Sequence, residues 1–346
     1  MSHRHSILLT GAAGYIGSHT WLALEKAGFE VIGIDNFVNS SPKVLARIEQ
    51  IGGFKPRFVQ GDVRDPAALD ECFAMAGAEF GGIGAVVHFA ALKAVGESVE
   101  RPLDYFENNL GGLLSVGQAM KRHETFNLVF SSSATVYGKP ERLPIAEDSA
   151  LRATNPYGQT KLMGEEILRE LERCDPRWHV AYLRYFNPVG AHESGQIGED
   201  PRGIPNNLMP YVAQVAAGKR EHLNVFGNDY DTPDGTGVRD YIHVCDLADG
   251  HVAALRYLFR QERSLTVNLG TGQGYSVLEL AQAYGKACDR EIPVVFAPRR
   301  PGDIDACYAD PTHAFNTMGW KASRGLDAMC ADSWRWQFNN PEGFGA

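Results

Sequence analysis

Near the start of the chain, the apolar run Ser6-Ile-Leu-Leu-Thr10 stops at Gly11-Ala-Ala-Gly-Tyr-Ile-Gly17. A short continuous apolar run bounded by glycine reads as a strand buried on both faces. A helical pattern follows from about Ser18 to Ala27 and is ended by Gly28, and a second apolar run, Val31-Ile-Gly-Ile34, leads to Asp35. Strand, turn, helix and strand make a βαβ unit, which commits the chain to a layered α/β architecture around a parallel sheet. The fold expected is a Rossmann-type doubly wound sheet. In such a unit Gly11, Gly14 and Gly17 let the backbone approach a pyrophosphate, whose charge the helix N-terminus favours. An acid placed like Asp35 accepts from the adenosine ribose hydroxyls and favours NAD over NADP. A plain tight turn is the alternative, and it needs neither the helix nor the acid that follow.

The alternation continues down the chain. Phe58-Val59 leads to Gly61-Asp62-Val63, where Asp62 and Val63 meet an adenine edge or Asp62 caps a helix. Ala85-Val-Val-His-Phe89 reads as a buried strand whose end, Phe89-Ala-Ala-Leu-Lys93, lies at the carboxyl edge of the sheet, where doubly wound folds bind ligands. A helix spans about Pro102 to Arg122 and holds Asn108 and Asn109, one of them read as a surface amide. Leu128-Val-Phe130 is a strand ending in Ser131-Ser-Ser133. A helix carrying Tyr157 and Lys161 runs to about Arg173, and Val180–Leu183 is a further strand. After Arg184 glycine, proline and asparagine become dense as far as Pro210, which marks a smaller region with long loops. There Tyr211 to Ala217 reads as helix, Leu223 to Phe226 as strand, and Val238 to Val244 as a strand feeding a helix from Asp246. Thr266–Leu269, Val277 to Ala287 and Val294–Phe296 read as one strand–helix–strand unit. The expected division is a cofactor domain over 1–184, with segments around 238–270 returning to it, and an interleaved α/β substrate domain over 185–346.

Tyr157 and Lys161 stand four apart, one turn above each other on a helix face. A free tyrosine has a pKa of about 10 and is a poor base at neutral pH; a neighbouring ammonium is expected to favour its phenolate. The spacing alone is common on solvated helix faces. Beside the glycine turn and the serine run it becomes specific: Ser133 and Tyr157 can reach one substrate hydroxyl, with Tyr157 as general base and the cofactor as electron sink. Without Tyr157, Ser133 reads as a strand-end hydroxyl satisfying backbone.

A net charge of −9 over 346 residues argues against broad nucleic-acid binding or an anionic membrane surface. An anionic substrate then needs locally gathered arginines, whose guanidinium forks suit anionic oxygens. The 6 cysteines form no C-x-x-C pair, which points to a reducing compartment. The segment Met1 to His5 is short and polar, and no signal peptide or membrane span is expected; the simplest address is the cytosol. The histidines do not cluster, and no metal is assigned.

Longer stretches narrow the reading. Thr10-Gly-Ala-Ala-Gly-Tyr-Ile-Gly-Ser-His19, Phe89-Ala-Ala-Leu-Lys-Ala-Val-Gly-Glu-Ser98, Ser131-Ser-Ser-Ala-Thr-Val-Tyr-Gly138 and Leu183-Arg-Tyr-Phe-Asn-Pro-Val-Gly-Ala-His192 are four of them. Gly203-Ile-Pro-Asn-Asn-Leu-Met-Pro210 and Gly237-Val-Arg-Asp-Tyr-Ile-His-Val244 are two more. Together with Ser133 and Tyr157-x-x-x-Lys161, they make the chain resemble the extended short-chain dehydrogenases/reductases, and over essentially its full length the UDP-glucose 4-epimerase family. That resemblance implies inversion at C4 of UDP-galactose and UDP-glucose through a 4-keto sugar. Tyr157 takes the 4-hydroxyl proton as hydride passes to tightly held NAD, Lys161 stabilises the phenolate and bonds the nicotinamide ribose, the ketone swings about its diphosphate link, and hydride returns to the other face. The resemblance further implies a homodimer formed through helices of the first domain.

The resemblance places NAD contacts at Gly11, Gly14, Tyr15, Ile16, Gly17, Asp35, Asn36, Asn39, Ser40, Asp62, Val63, Phe89, Ala90, Lys93, Asn108, Tyr157, Lys161 and Tyr185. It places UDP-sugar contacts at Lys93, Ser133, Tyr157, Asn187, Asn207, Leu208, Asn224, Phe226, Arg239, Arg300, Asp303 and Cys307. From spacing alone Phe226 reads as core, and Asn207 or Asp303 as loop caps. Two positions depart from many relatives: Ala91 replaces a glycine, and Cys307 stands where some members carry tyrosine. Loss of that ring is expected to leave room for an N-acetyl group at C2, so that UDP-N-acetylglucosamine and UDP-N-acetylgalactosamine are also interconverted; an inert packed thiol is the alternative. A nucleotide-sugar 4,6-dehydratase would begin with the same oxidation, but Ala134 and Thr135 occupy the place of the Asp-Glu pair that elimination needs. A decarboxylase would need a carboxylate site that nothing singles out. A non-catalytic NAD sensor would not need Ser133, Tyr157 and Lys161 together.

Overall fold

The computed structural model describes residues 5–203, 205–300 and 302–345. Met1 to Arg4 of the polar first segment, Ile204 inside one of the quoted stretches, and Pro301 beside Arg300 lie outside the described residues. The chain divides into two compact units. One holds the residues up to Gly138, together with Leu151–Arg184 and Ala248–Val267; the other holds Lys139–Ala150, Tyr185–Leu247 and the residues from Asn268 onward.

The first unit is built on β1 (Ser6–Thr10), α1 (Tyr15–Lys26), β2 (Glu30–Asp35), α2 (Lys43–Gly52), β3 (Arg57–Gln60), α3 (Pro66–Phe80) and β4 (Ala85–His88). It continues with α4 (Val95–Glu100), α5 (Pro102–Arg122), β5 (Asn127–Ser133), a 3-10 turn (Ala134–Tyr137), α6 (Pro156–Cys174) and β6 (His179–Tyr185). The seven-stranded sheet runs Leu265–Leu269, β6, β5, β4, β1, β2, β3. Its centre is parallel, with Thr10 opposite both Ile34 and His88. All of β1 is buried, as a strand covered by helices on both faces must be. Order reverses between β1 and β4, so the ends of those strands, Gly11–Gly17 and Phe89–Lys93, flank the switch point where doubly wound sheets take ligands. Ile34, Leu69, Val86, Leu113 and Leu168 form the core of one helix layer. On β2 a side chain at Gly33 would run into the Trp21 ring and, at 2.8 Å, the Ala12 methyl, which lets α1 lie close on the sheet. Asp65, not Asp62, caps α3: its carboxylate accepts from Ala67 N at 3.0 Å, and Pro66 fills the first helical position.

In the second unit, the helices Leu208–Ala216, Val277–Cys288 and Leu326–Asn339 enclose a core that includes Val212, Leu280, Tyr284, Met329 and Cys330. Val238–His243 is flanked by Gly274–Ser276 in antiparallel pairing and by Ala306–Cys307 and Asn187–Val189 in parallel. Leu223–Phe226 and Val294–Ala297 pair in parallel as a separate ribbon. The stretch read as one strand–helix–strand unit is therefore split. Leu265–Leu269 joins the seven-stranded sheet and Val294–Ala297 joins the ribbon, because an apolar run identifies a strand and not its partner. Among the described residues no helix is long and apolar enough to cross a membrane.

Candidate active site

The glycine turn after β1 is shaped by backbone approach. Gly11 has φ +66°, and a Cβ there would sit 2.8 Å from Ala90 N; one on Gly17 would collide with the Gly11 carbonyl. Gly14 is the N-cap of α1 and supplies no capping side chain, so the helix opens with its first-turn amides unscreened by a cap. A cradle that a Cβ would fill, at a helix N-terminus and a switch point, fits a pyrophosphate. Tyr15, Ile16 and Gly17 make that first turn.

Asp35 closes β2 and braces the cradle. Its Oδ2 accepts from Ala13 N at 3.0 Å, and its Oδ1 accepts from Phe37 N and from Ser40 Oγ, both at 2.8 Å. A carboxylate has about four acceptor positions, so three are committed to the protein and one remains for a ribose hydroxyl. Asp62 accepts from Asn36 Nδ2 at 3.0 Å and is forked by the Arg64 guanidinium at 2.9 and 2.8 Å. The bonds from Arg64 hold its carboxyl at a pKa of about 2. Val63 is buried behind it, and Asn39 lies exposed in the loop after β2. At the end of β4, Ala90 N donates to Thr10 Oγ1, which also pairs with His88 Nδ1 at 2.8 Å. Burial and the Lys161 charge push His88 down to about 3. Phe89 packs on the His251 ring, and Lys93 Nζ lies 5.9 Å from the Tyr15 ring centre.

Asn108 is half-buried beside Asn109, and neither is a plain surface amide. Asn109 is buried, accepts from Leu92 N, and donates to Leu92 O and to Thr160 Oγ1. It fixes the segment after β4 against the helix that carries Tyr157, a role the sequence signalled only as an amide within an amphipathic helix.

Three consecutive serines at the end of β5 meet α6. Ser131 Oγ accepts from Lys161 Nζ at 3.1 Å, Ser132 Oγ donates to Glu165 Oε1 at 2.6 Å, and the Ser133 hydroxyl acts on Tyr157 to favour its phenolate. Ser133 also accepts from Thr135 N and Oγ1, so it does cap the turn after β5. Asn155 caps α6 by accepting from Gly158 N at 2.8 Å, which sets Tyr157 in the first turn. The expectation that Lys161 lowers the tyrosine is corrected here. Burial pushes Tyr157 up to about 12, with the Ser133 bond opposing, and pushes Lys161 down to about 7. Desolvation disfavours the charged form of each, and at 5.9 Å from the ring centre the ammonium does not offset it. Tyr185 is buried at the end of β6.

In the second unit four of the expected substrate residues, Arg239, Arg300, Asp303 and Phe226, form a connected patch. Arg300 donates through Nε to Asp303 at 3.0 Å and lies over the Phe226 ring at 4.8 Å. Arg239 approaches the same Asp303 at 4.0 Å and donates to the carbonyls of Val238 and Ile304. Phe226 is 38% exposed, so it is a platform under Arg300 and not core. Cys307 pairs in register with Arg239; it is half-buried, and burial pushes its thiol up to about 11. Asn224 stands two residues before Phe226 and bonds Tyr211 Oη at 3.4 Å. Asn207 gives its amide to Glu199 at 2.8 Å and makes no side-chain cap on the helix that Leu208 begins. Asn187 is exposed opposite Tyr241. Sequence reading missed Asp240, next to Arg239, which accepts from Thr271, Gly272 and Ala309 and ties their segments to the arginine strand.

A glycine cradle at a parallel-sheet switch point, with a tyrosine and a lysine on one helix face beside a serine strand end, defines a short-chain dehydrogenase/reductase-type protein. A family model described as GDP-mannose 4,6 dehydratase matches residues 8–333. UDP-glucose 4-epimerase of Bacillus subtilis (strain 168) is 58% identical over 339 residues, 98% of each chain. The human UDP-glucose 4-epimerase is 55% identical over 346 residues, again 98% of each. The crystal structure of UDP-glucose 4-epimerase from Bifidobacterium longum in complex with NAD+ and UDP superposes with a TM-score of 0.92 at 52% identity, covering 98% of this chain and 99% of that one. The chain belongs to the UDP-glucose 4-epimerase family.

Proposed function

We propose that the chain is an NAD-dependent epimerase that inverts C4 of UDP-galactose and UDP-glucose. The observation that carries this reading is the gathering of Ser133, Tyr157 and Lys161 where β5 meets α6, with Lys161 bonded to Ser131, in a unit that also holds the glycine cradle. NAD, when bound, supplies the hydride acceptor for C4 and then the hydride donor. Gly11, Gly14 and Gly17 admit its pyrophosphate, and Asp35, with its remaining acceptor position, takes a ribose hydroxyl. Tyr157 holds the proton of the sugar's 4-hydroxyl, and Ser133 orients that hydroxyl. Arg239 and Arg300 hold the diphosphate, so the nucleotide is anchored while the sugar is free to turn. Ala134 and Thr135 after Ser133 supply no acid–base pair for elimination, which disfavours a dehydratase.

The proposal extends to the N-acetylated UDP-hexoses: Cys307 is half-buried, pairs in register with Arg239, and carries a smaller side chain than the tyrosine of some relatives. The cytosol as address and a homodimer through α4 and α5 belong to the same proposal. Purified protein, with no NAD added, is expected to turn over both UDP-galactose and UDP-N-acetylgalactosamine. Cys307→Tyr is expected to keep the first activity and lose the second; loss of both, or of neither, removes the wide-pocket reading. Tyr157→Phe is expected to abolish turnover, and an unaffected rate would overturn the epimerase mechanism.

A further inference from the structure

We infer that the buried Glu165–Arg184 pair is a positioning device that registers the Tyr157–Lys161 face of α6 against the serine end of β5. The inference rests on the reading of Tyr157 and Lys161 as catalytic. Glu165 lies one turn beyond Lys161, Arg184 lies near the end of β6, and their side chains are 1% and 2% exposed. Arg184 grips both carboxylate oxygens, Nε to Oε1 at 2.9 Å and Nη2 to Oε2 at 2.7 Å. Its remaining nitrogen, Nη1, donates to Tyr137 Oη at 2.9 Å. Ser132 Oγ donates to the same Oε1 at 2.6 Å. One ion pair therefore joins α6, the end of β5, the 3-10 turn after Ser133, and β6.

Stability does not account for it. A buried ion pair replaced by apolar residues of similar volume is often no less stable, because desolvation consumes the attraction. A bidentate fork instead supplies direction, since its bonds hold at one register only. The contact it polices is smooth: Gly164 of α6 rests on the Phe130 ring of β5, where an added Cβ would come within 2.6 Å of the ring. A glycine on a flat ring resists sliding poorly. Ser132 stands between Ser131, which receives Lys161, and Ser133, whose hydroxyl acts on Tyr157, so the pair holds the middle of the run whose two neighbours serve the chemistry.

The test uses the full chain with its retained cofactor. Glu165→Leu with Arg184→Met removes both charges together, and Ser132→Ala leaves the pair intact and cuts only its link to the strand. Both are expected to keep cooperative unfolding and a KM for UDP-galactose close to the unmodified protein's. Their kcat is expected to fall ~10-fold to 100-fold, the scale of a sub-ångström to ångström misplacement of reacting groups. An unchanged kcat in the double variant, or a raised KM at unchanged kcat, overturns the inference. If the double variant does not fold, Ser132→Ala decides alone, and an unchanged kcat there overturns it. Tyr157→Phe is measured alongside: activity retained in that variant overturns the underlying catalytic reading, whatever the positioning variants do.

Discussion

Tyr157 and Lys161 are each held on the uncharged side of their ordinary range by burial, and that conflict is the main tension at the residue scale. Lys161 titrates near 7 in the fold against 10.5 when solvated. Between those values the unfolded chain binds more protons than the folded one, so stability rises with pH across that window. The deficit is full below about pH 7, where the folded protein must bury an ammonium. Lys161→Met lacks the deficit. Its thermal stability is expected to exceed that of the unmodified protein most at about pH 6, with the advantage shrinking by up to about 1.4 kcal/mol per pH unit toward pH 9. Melting curves of the two proteins at both pH values check this, and an advantage that grew with pH would contradict burial as the cause.

At the scale of elements, α6 is the part most exposed to small changes. Its first turn carries Tyr157, its cap is the Asn155 side chain, and Gly158 passes 3.0 Å, measured from an added Cβ, from the Thr135 carbonyl. Asn155→Ala is expected to cost about 1 kcal/mol of stability, the usual value of an N-cap. It is also expected to lower kcat more than it raises KM, because the turn that frays holds Tyr157, the proposed base. Denaturant midpoints and steady-state kinetics on the same preparation check both parts. The glycine turn behaves differently: at Gly17 any side chain meets the Gly11 carbonyl, so the element has no tolerance to lose.

At the scale of the whole molecule, the chain passes between its two units repeatedly, and Ala248–Val267 belongs with the first unit. An edge strand of the seven-stranded sheet thus comes from far along the sequence. The same unit presents Val99, Leu103 and Leu114 to solvent at 63%, 79% and 48%. Leu103 and Leu114 stand three turns apart on one face of α5. Exposed apolar groups on one helix face are the feature on which the proposed homodimer would rest. Leu103→Glu is expected to shift the protein from dimer to monomer in sedimentation velocity at micromolar concentration. A monomeric unmodified protein, or a variant that stays dimeric, would remove α5 from the interface.

The glycine turn, the alternation of strands and helices and the Tyr157–Lys161 pair are local patterns, set by period, by φ and by spacing of a few residues, and the sequence determines them. α5 was legible to the residue, because Arg101-Pro102 and the charged end at Arg122 mark it. Three things lay with the tertiary structure. Strand partners were one: Leu265–Leu269 and Val294–Ala297 look alike as apolar runs and differ only in which edge they meet. Charge state was another, since Tyr157 and Lys161 have ordinary neighbours in sequence and unusual pKa values only after burial. The third was the set of long-range polar clamps, Asn109 on Leu92, Asp240 on Ala309 and Glu165 on Arg184. Hydrogen bonds of that kind leave no period in the chain, and they form only when the sheet has brought their partners within reach.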